Sequence, residues 1–401
     1  MIAPPQLPRL FAAQGPSLTA HHDTFGELPA VGPGLIALLD EAGLTGRGGA
    51  GFPTAVKMAA ITGGKPVVVG NGAEGEPLSR KDAQLLTRAP HLVFDGLDAA
   101  AAAINADKVY LYIHPDAAPT ATAALEERRA AGLDNHRIAV VEAPDRFVAG
   151  EESAAMRHIE GGPALPRDRT VPAAVSGVKG RPTLLNNVET LAHVALITRY
   201  GPQWFRAVGE ADDPGTMLIT LSGALKRHGV VEVPTGTLLS GVLEGSGGTD
   251  PRTVPAVLIG GYHGSWLAAG DLTGLRVSRP GMKSLGASPG AGIVHALGVG
   301  ECGLARTAEI TRYLADQSAL QCGPCLNGLP RLADLFEQLA HGRADDRLVH
   351  EIQRMVRLID DRGSCRHPDG TARMVRSALR TFAVDVEMHY QKRCTAAESV
   401  A

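Results

Sequence analysis

Between residues 65 and 145, short apolar runs alternate with helical segments, and this alternation restricts the fold more than any other feature of the chain. The runs KPVVVG (65–70), KVYLYI (108–113) and HRIAVVEAP (136–144) have the apolar content of strands. The segments between them, 89–106 and 121–133, have helical character. Strands that alternate with helices form parallel, doubly wound sheets, so we predict an α/β domain here.

A polar loop follows the first of these strands. The segment NGAEGEPLSRKD (71–82) carries Asn71, Glu74 and Glu76. Ligands of doubly wound sheets bind at the carboxyl ends of strands, which is where this loop falls. The alternative is that these acidic side chains are simply solvated.

The pattern changes twice further along the chain. After about residue 205, short strands and turns with one helix predict a small α+β unit, and from about 283 four segments have the apolar spacing of packed helices. We therefore predict three domains, 1–205, 206–282 and 283–401.

Charge and hydropathy exclude several classes of partner. The net charge of −3 gives no electrostatic basis for binding nucleic acid or an anionic membrane. The first twenty residues lack the features of a signal peptide, and no run approaches 18 uninterrupted apolar residues. We expect a cytoplasmic protein that meets a membrane only through a partner.

A second candidate site is the glycine-rich stretch GLTGRGGAGFPTAVK (43–57). It matches neither the Walker pattern nor the GxGxxG pattern, but backbone amides exposed by glycines can hold phosphate. Lys57 adds a positive charge, and Phe52 adds a ring on which a planar ligand could stack. The alternative is a flexible surface loop.

Two further segments carry paired polar residues. Glu151 and Glu152 open a predicted helix in FVAGEESAAMRHIEG (147–161), where acidic residues also suit the helix dipole without any function. Asn186 and Asn187 lie in the apolar context of GRPTLLNNVETL (180–191). Buried amides need hydrogen bonds, which a ligand or a helix cap would supply.

Cysteines are concentrated near the end of the chain. Cys322 and Cys325 form a CxxC pair, and Cys365 follows some forty residues later. A redox dithiol, half of a zinc site and an iron–sulfur site that lacks one thiolate all fit this spacing. Buried cysteines without a metal are the remaining alternative.

The order of these segments resembles that of a known family. GLTGRGGAGFPTAVK, VVVGNGAEGEP, PHLVFDGL, GEES, GRPTLLNNVETL, PTGTLLSGVLE and CGPCLNGLP resemble, in this order, the NADH- and FMN-binding flavoprotein subunit of respiratory complex I and related diaphorase subunits. The resemblance covers about residues 30 to 383. It implies an FMN-binding Rossmann-like α/β domain, a small ubiquitin-like (SLBB) α+β domain and a C-terminal helical bundle that binds a [4Fe-4S] cluster.

The resemblance also implies roles for individual residues. The backbone of the glycine stretch would hold FMN, Phe52 would stack on the nucleotide, and Lys57 would lie on the flavin side. Glu76 and Glu152 would face NADH as the catalytic pair, and Cys322, Cys325 and Cys365 would bind the cluster. The remaining positions that match the flavin site are Gly46, Gly48, Gly49, Ala50, Asn71, Glu74, Glu151, Asn186 and Asn187.

The sequence departs from the family pattern at several positions. The first cysteine of the cluster motif is replaced by Ala319. The fourth ligand is then Cys302, His367 or water, or the cluster is lost; Cys302 is the candidate that we favour. Changes around the nucleotide site affect the expected NADH contacts more than the flavin contacts. These positions are Ala60, Ala73, Phe147 and, beside a one-residue deletion, Arg169.

The function implied by the resemblance is electron transfer from a nicotinamide cofactor. Such a protein takes a hydride from NADH or NADPH onto FMN and passes single electrons through an iron–sulfur cluster to a protein acceptor. We expect a ferredoxin-like or other iron–sulfur protein as the acceptor. The alternative is a non-catalytic paralogue that binds a nucleotide or serves assembly of a redox complex.

Overall fold

The computed structural model describes residues 6–133, 135–168, 171–341 and 345–398. The chain forms two compact units. The first contains Met1–Gly75, Ser79–Ile219 and Val230–Thr237, and the second contains Glu76–Leu78, Thr220–Gly229 and Leu238–Ala401. The prediction of three domains stays a prediction.

The first unit holds a four-stranded sheet and the helices that cover it. Its helices are α1 (Leu18–Phe25), α2 (Leu35–Ala42), α3 (Thr54–Ala59), α4 (Lys81–Arg88), α5 (Pro90–Ala103), α6 (Ala118–Ala130), α7 (Glu152–Ile159) and α8 (Val188–Arg206). Its main strands are β1 (Val67–Gly72), β2 (Lys108–Ile113), β3 (Ile138–Glu142) and β4 (Thr183–Asn187).

The sheet has the order β3–β2–β1–β4, and all of its neighbouring strands are parallel. The chain moves outward from β1 to β2 and β3, and then returns through α7 to place β4 on the opposite side of β1. The strand order therefore reverses between β1 and β4. The predicted parallel α/β fold is confirmed.

Alternate residues of the strands enter two separate cores. On one face, Val68, Leu111 and Leu184 pack among the residues of a large cluster that includes α5 and α8. On the other face, Val69 and Leu185 pack in a smaller cluster that includes residues of α7. Both faces of the sheet are thus covered, which is typical of parallel sheets.

A glycine allows the two longest helices of this unit to pack closely. A Cβ atom on Gly96 in α5 would lie 1.9 Å from the carbonyl oxygen of Leu191 in α8. No side chain fits at that distance, so this position needs glycine. The same pair of helices covers β1, where a Cβ atom on Gly70 would lie 3.1 Å from the Leu97 side chain and 3.2 Å from that of Leu191.

Beyond α8 the chain forms short strands that lead into the second unit. These are β5 (Gly209–Glu210), β6 (Asp213–Pro214), β7 (Thr216–Gly223) and β8 (Gly229–Pro234). Strand β7 begins in the first unit and ends in the second.

The second unit contains three further strands, β9 (Ala256–Ile259), β10 (Ser265–Ala268) and β11 (Ile293–Ala296). They complete a sheet of order β10–β9–β11–β7–β8, in which β11 is parallel to β7 and antiparallel to β9. Three short helices accompany these strands: α9 (Leu239–Gly241), α10 (Ala269–Leu272) and α11 (Arg279–Met282).

The rest of the second unit is helical. Its helices are α12 (Gly303–Asp316), α13 (Leu329–Ala340), α14 (Asp346–Ile359), α15 (His367–Thr381), α16 (Ala383–Tyr390) and α17 (Thr395–Glu398). Apolar residues of α13 and α14, including Leu332, Phe336 and Ile352, are fully buried. Over the part of the chain that the structure describes, no helix combines the length and apolar character needed to cross a bilayer.

Candidate functional site

The candidate site lies where the strand order reverses. Strands β1 and β4 are neighbours, with Gly70 opposite Asn186 and Asn71 opposite Asn187 at their carboxyl ends. Crevices at such reversal points are where open α/β sheets bind ligands. Three predicted residues therefore meet at one edge of the sheet.

Arg47 attaches the glycine stretch to the start of α8 and to β6 through hydrogen bonds. Its side chain is 6% exposed. The guanidinium donates to the Asp213 carboxylate at 3.2 Å and to the Pro214 carbonyl at 2.9 Å, while the Arg47 backbone N–H donates to the Thr190 hydroxyl at 2.9 Å. The sequence does not indicate this role, because an arginine in a glycine-rich loop is usually exposed.

The glycines of this stretch fit a close backbone approach. Gly49 has a φ of 112°, in the region that disfavours L side chains, and a Cβ on Gly48 would lie 3.1 Å from the Asn187 Cβ. The Gly46 N–H donates to the Phe52 carbonyl at 2.9 Å, which closes the loop. Ala50 is exposed, and the Phe52 ring is 53% exposed and thus accessible to a planar ligand.

Lys57 joins the glycine stretch to the start of α7. Its ammonium donates to the Glu152 carboxylate at 2.9 Å and to the Leu185 carbonyl at 2.6 Å. Leu185 directly precedes Asn186 in β4. The cation therefore lies at the carboxyl end of the sheet, and about a quarter of each side chain of the pair is exposed.

Glu151 caps α7. Its carboxylate accepts hydrogen bonds from the Ser153 N–H at 2.8 Å, from the Ala154 N–H at 3.0 Å and from the Ser153 hydroxyl. Side-chain acceptors at this position satisfy the first amides of a helix. This carboxylate oxygen thus organises the loop.

Asn71 and Asn187 also hold the loops of the site. The Asn71 amide donates to the Gly150 carbonyl at 2.9 Å. The Asn187 amide donates to the Asp82 carboxylate at 2.6 Å and to the Asn71 carbonyl at 3.1 Å, and its oxygen caps α8 by accepting from the Glu189 N–H at 3.0 Å. The capping alternative weighed for Asn187 in the sequence analysis is what the structure shows.

Asn186 differs from its neighbours. It is 6% exposed, and its amide nitrogen lacks a hydrogen-bond partner among the described residues. An unsatisfied buried donor is unfavourable by about 1–3 kcal/mol. At the carboxyl end of β4, such a donor is suited to a ligand oxygen or ring nitrogen.

A buried charged cluster of Lys81, Asp82 and Glu189, the Lys81 cluster, supports the site, although nothing in the sequence indicates it. The Lys81 ammonium lies 2.7 Å from the Asp82 carboxylate and 2.9 Å from the Glu189 carboxylate. Burial would lower the pKa of Lys81, but the two carboxylates outweigh it and raise that pKa above its usual range. Lys81 also donates to the Asn187 oxygen at 3.1 Å, so this cluster fixes the orientation of Asn187.

Glu74 belongs to the same region. Its carboxylate accepts from the Ser79 hydroxyl at 2.5 Å and from the Ala83 N–H, in the first turn of α4, at 3.0 Å. Burial, followed by the nearby Asp82 charge, raises the pKa of Glu74. These contacts hold the loop between β1 and α4.

Glu76 lies in the second unit. Its carboxylate accepts from the Tyr262 N–H at 2.8 Å and from the Leu78 N–H at 3.4 Å. Burial raises the pKa of Glu76 to about 7, although both amides favour the charged form. Gly261, with a φ of 86°, leaves the space that this carboxylate occupies.

Three of the predicted cluster ligands interact with one another. The sulfur atoms of Cys322 and Cys325 are 3.6 Å apart. Burial, followed by the neighbouring Cys322 and Cys365, raises the pKa of the Cys325 thiol to about 12, and the Ala319 backbone amide donates to that thiol. Position 319 is thus next to the Cys325 thiol, one of the three predicted ligands.

The two side chains considered as a fourth ligand have other neighbours. The Cys302 sulfur lies 3.6 Å from the His389 Nε2 atom, and the Cys302 thiol also interacts with Cys394. His367 has both ring nitrogens engaged, with the Leu314 carbonyl at 2.7 Å and with His263 at 3.1 Å. We therefore withdraw His367 as a candidate.

The positions around the nucleotide site that depart from the family pattern differ in exposure. Ala60 is exposed, and Ala73 and Phe147 are half-buried. Arg169 lies outside the described residues. An open pocket of about 240 Å³ near the start of α7 is lined by residues between 153 and 180, among them Arg167 and Asp168.

The residues present suit a bound flavin, and they supply three of the four thiolates that an iron–sulfur cluster normally takes. An unsatisfied Asn186 amide, a positive-φ glycine backbone and an exposed Phe52 ring suit a planar, phosphate-bearing group. Cys322, Cys325 and Cys365 supply three thiolates for a cluster that normally takes four.

Comparisons with known families agree with this geometry. Residues 39–196 match the model of the Nuo51 FMN-binding domain, and residues 305–389 match the NADH-ubiquinone oxidoreductase-F iron-sulfur binding region. The first range contains the whole candidate site in the first unit, and the second contains all three clustered cysteines.

Similar proteins include an F-type subunit of NADH-quinone oxidoreductase from Rhizobium meliloti, 30% identical over 90% of this chain and 89% of that one. The HndC subunit of a NADP-reducing hydrogenase from Solidesulfovibrio fructosivorans is 29% identical over 90% of this chain and 77% of its own. Two structures of NAD+-reducing [NiFe]-hydrogenase superpose with TM-scores of 0.80 and 0.82 at 30% and 31% identity, over 88% and 91% of this chain. The chain spans 62% and 65% of those two chains.

Proposed function

This chain belongs to the family of F-type subunits of NADH-quinone oxidoreductase, and from that membership we propose that it oxidises NADH through FMN and delivers single electrons through an iron–sulfur cluster to a partner protein. One observation carries the proposal. The residues matched to the FMN-binding domain surround the point where the strand order reverses between β1 and β4.

The residues of the first unit divide between binding and organisation. The glycine backbone, the Phe52 ring, the Asn186 amide and the Lys57 ammonium bind the flavin and its phosphate. The ion pairs of Arg47 with Asp213 and of Lys81 with Asp82 and Glu189 hold the loops that carry these flavin-binding groups. Bound FMN accepts a hydride and releases its electrons one at a time.

Glu76 and Glu152 are proposed to position the nicotinamide nucleotide. Both are carboxylates, which accept hydrogen bonds from ribose hydroxyls or from an amide group. Glu152 is held by Lys57, and Glu76 by two backbone amides. Hydride transfer needs no general base, so we assign them positioning rather than proton transfer.

The domain assignment and the acceptor complete the proposal. We propose that the strand-rich part, 206–282, is a ubiquitin-like SLBB domain and that the C-terminal helices form a bundle around the cluster. The acceptor is proposed to be a ferredoxin-like or other iron–sulfur protein, as in a diaphorase module.

A titration tests the central proposal. Protein reconstituted with FMN and desalted is mixed anaerobically with NADH, with NADPH as the comparison. We expect flavin absorbance near its visible maximum to be lost with NADH. Retention of FMN without any bleaching would contradict the proposal and favour the non-catalytic paralogue, for which the altered positions Ala60, Ala73 and Phe147 are the supporting observation.

A further inference from the structure

Cys302, His389 and Cys394 form a cluster separate from the three thiols of the iron–sulfur site. One ligand atom from each residue lies within 4.8 Å of the others. Cys302 caps the start of α12, His389 lies in α16, and Cys394 follows α16. The sequence gives no hint of this cluster, since 87 residues separate Cys302 from His389.

The histidine of this cluster is oriented as a metal ligand. His389 is 4% exposed, and its Nδ1 lies 3.0 Å from the Leu339 carbonyl oxygen. Because a carbonyl only accepts hydrogen bonds, Nδ1 carries the proton and Nε2 presents its lone pair. That lone pair faces the Cys302 sulfur, and a backbone carbonyl behind the ring is the usual partner of a metal-bound histidine.

The distances fit a single tetrahedral ion. With zinc–sulfur and zinc–nitrogen bonds of about 2.3 and 2.05 Å, a tetrahedral angle separates the two ligand atoms by about 3.6 Å. The Cys302 sulfur and the His389 Nε2 are 3.6 Å apart. Two thiolates also neutralise a divalent cation, which suits a partly buried position.

We propose that Cys302, His389 and Cys394 bind one Zn²⁺ ion, with the fourth position open to water. The ion fastens the segment after α16 to the start of α12, and the Leu339 carbonyl extends the connection to α13. The adjacent Thr395 hydroxyl donates to Asp385 of α16 and holds Cys394 near the site. Cys302 then serves this ion and is not the fourth ligand of the iron–sulfur site.

Metal analysis of the full-length, untagged protein tests the proposal. We expect about one zinc per chain in the wild type, and at least a tenfold lower zinc content in Cys302→Ser and Cys394→Ser. The matched control is Cys322→Ser, which should keep its zinc and lose iron. His389→Gln, which keeps the side-chain size, should also lose zinc.

Cobalt substitution gives a readout that does not depend on enzymatic activity. Chelator-treated protein loaded with Co²⁺ should show the visible bands of tetrahedral cobalt and sulfur-to-cobalt charge transfer, and both should be several-fold weaker in Cys394→Ser, which has lost one of the two thiolates. Iron bound by Cys322, Cys325 and Cys365, which lie in the same unit as Cys302, His389 and Cys394, shows whether each of these variants has folded.

Three results would overturn the proposal. The first is zinc content unchanged by Cys302→Ser and Cys394→Ser, which would indicate an adventitious ion only. The second is a wild type that takes up neither zinc nor cobalt. The third is a Cys302–Cys394 disulfide recovered from protein isolated without oxygen.

Discussion

The Lys57 ammonium and the Glu152 carboxylate form an ion pair at 2.9 Å, although 95 residues separate them in the chain. The pair connects the glycine stretch to the first turn of α7 at the edge of the sheet. The two partners have different proposed roles, because Lys57 is assigned to binding the flavin and Glu152 to positioning the nicotinamide nucleotide.

Substitution of the two partners should separate these tasks. Lys57→Met should weaken FMN binding by about 10- to 100-fold, the value of a charged hydrogen bond. Glu152→Gln should change FMN affinity by less than about threefold, because an uncharged amide still accepts from Lys57, while it lowers the rate of reduction by NADH. Fluorescence quenching of FMN and stopped-flow reduction provide the two measurements. Equal losses of FMN affinity in both variants would refute the division.

The two adjacent asparagines should respond oppositely to the same substitution. Asn186→Leu removes a buried donor that has no partner among the described residues, so the unfolding free energy of the ligand-free protein should be unchanged or rise by up to about 1 kcal/mol. FMN affinity should fall about tenfold. Asn187→Leu removes the cap of α8 and the hydrogen bonds to Lys81 and Asp82, so it should lower the unfolding free energy by about 2–4 kcal/mol. Denaturant titrations without FMN provide the comparison, and a destabilised Asn186→Leu would count against a ligand role for this amide.

Substitution of Arg47 should lower both the stability of the protein and its affinity for FMN, because the glycine stretch loses its attachment to Asp213 and Pro214. Arg47→Met leaves the Asp213 carboxylate buried without its cation, at a cost of about 3–5 kcal/mol. In Arg47→Met/Asp213→Asn no charge remains unpaired, so part of that stability should return, whereas FMN affinity should stay low because the loop has lost its anchor. Thermal unfolding and flavin titration of the wild type and both variants test this. Recovery of FMN affinity in the double variant would show that the anchor is dispensable.

Glu76 should make stability depend on pH. Its folded-state pKa of about 7 lies above the value expected in the unfolded chain. The folded state therefore binds this proton more tightly, and stability falls as the pH rises from about 4.5 to 7. Between pH 5 and pH 8, Glu76→Gln should lose about 2 kcal/mol less stability than the wild type. Urea titrations at the two pH values provide the measurement, and parallel losses would show that Glu76 is ionised normally.

A cysteine at position 319 should stabilise the iron–sulfur site. The Ala319 amide donates to the Cys325 thiol, so a side chain at position 319 begins next to one of the predicted ligands. Ala319→Cys should lengthen the lifetime of the cluster in air at least severalfold, measured from its visible absorbance after anaerobic reconstitution. Ala340→Cys, at a position equally buried, is the control and should have no effect. No gain from Ala319→Cys would indicate that another group already completes the site.

Periodicity was sufficient to predict β1, β2 and β3, which read as short apolar runs, but it did not predict β4 as a strand. Val67 to Val69 and the segment 108–113 form β1 and β2 as expected. The strand order, which places β4 beside β1, could not be read from local pattern, since it depends on how the crossover through α7 packs.

The supporting charges of the site were not predictable for a related reason. Arg47 and Lys81 look like solvated residues in a sequence, and their buried partners Asp213 and Glu189 lie more than a hundred positions away. Isolated charges are seldom buried, so sequence reasoning assigns them to the surface. The same long separation concealed the group formed by Cys302 and His389.

The guanidinium beneath the glycine stretch also determines whether that stretch can be transplanted. Residues 43–57 look self-contained in the sequence. The Arg47 guanidinium, however, pairs with Asp213, 166 positions away, and the Arg47 backbone N–H donates to the Thr190 hydroxyl, 143 positions away. A graft of the loop alone into another parallel sheet would bring a buried cation without its counter-charge. A design that uses this glycine stretch to bind a flavin must therefore also include the start of α8, which carries Thr190, and β6, which carries Asp213.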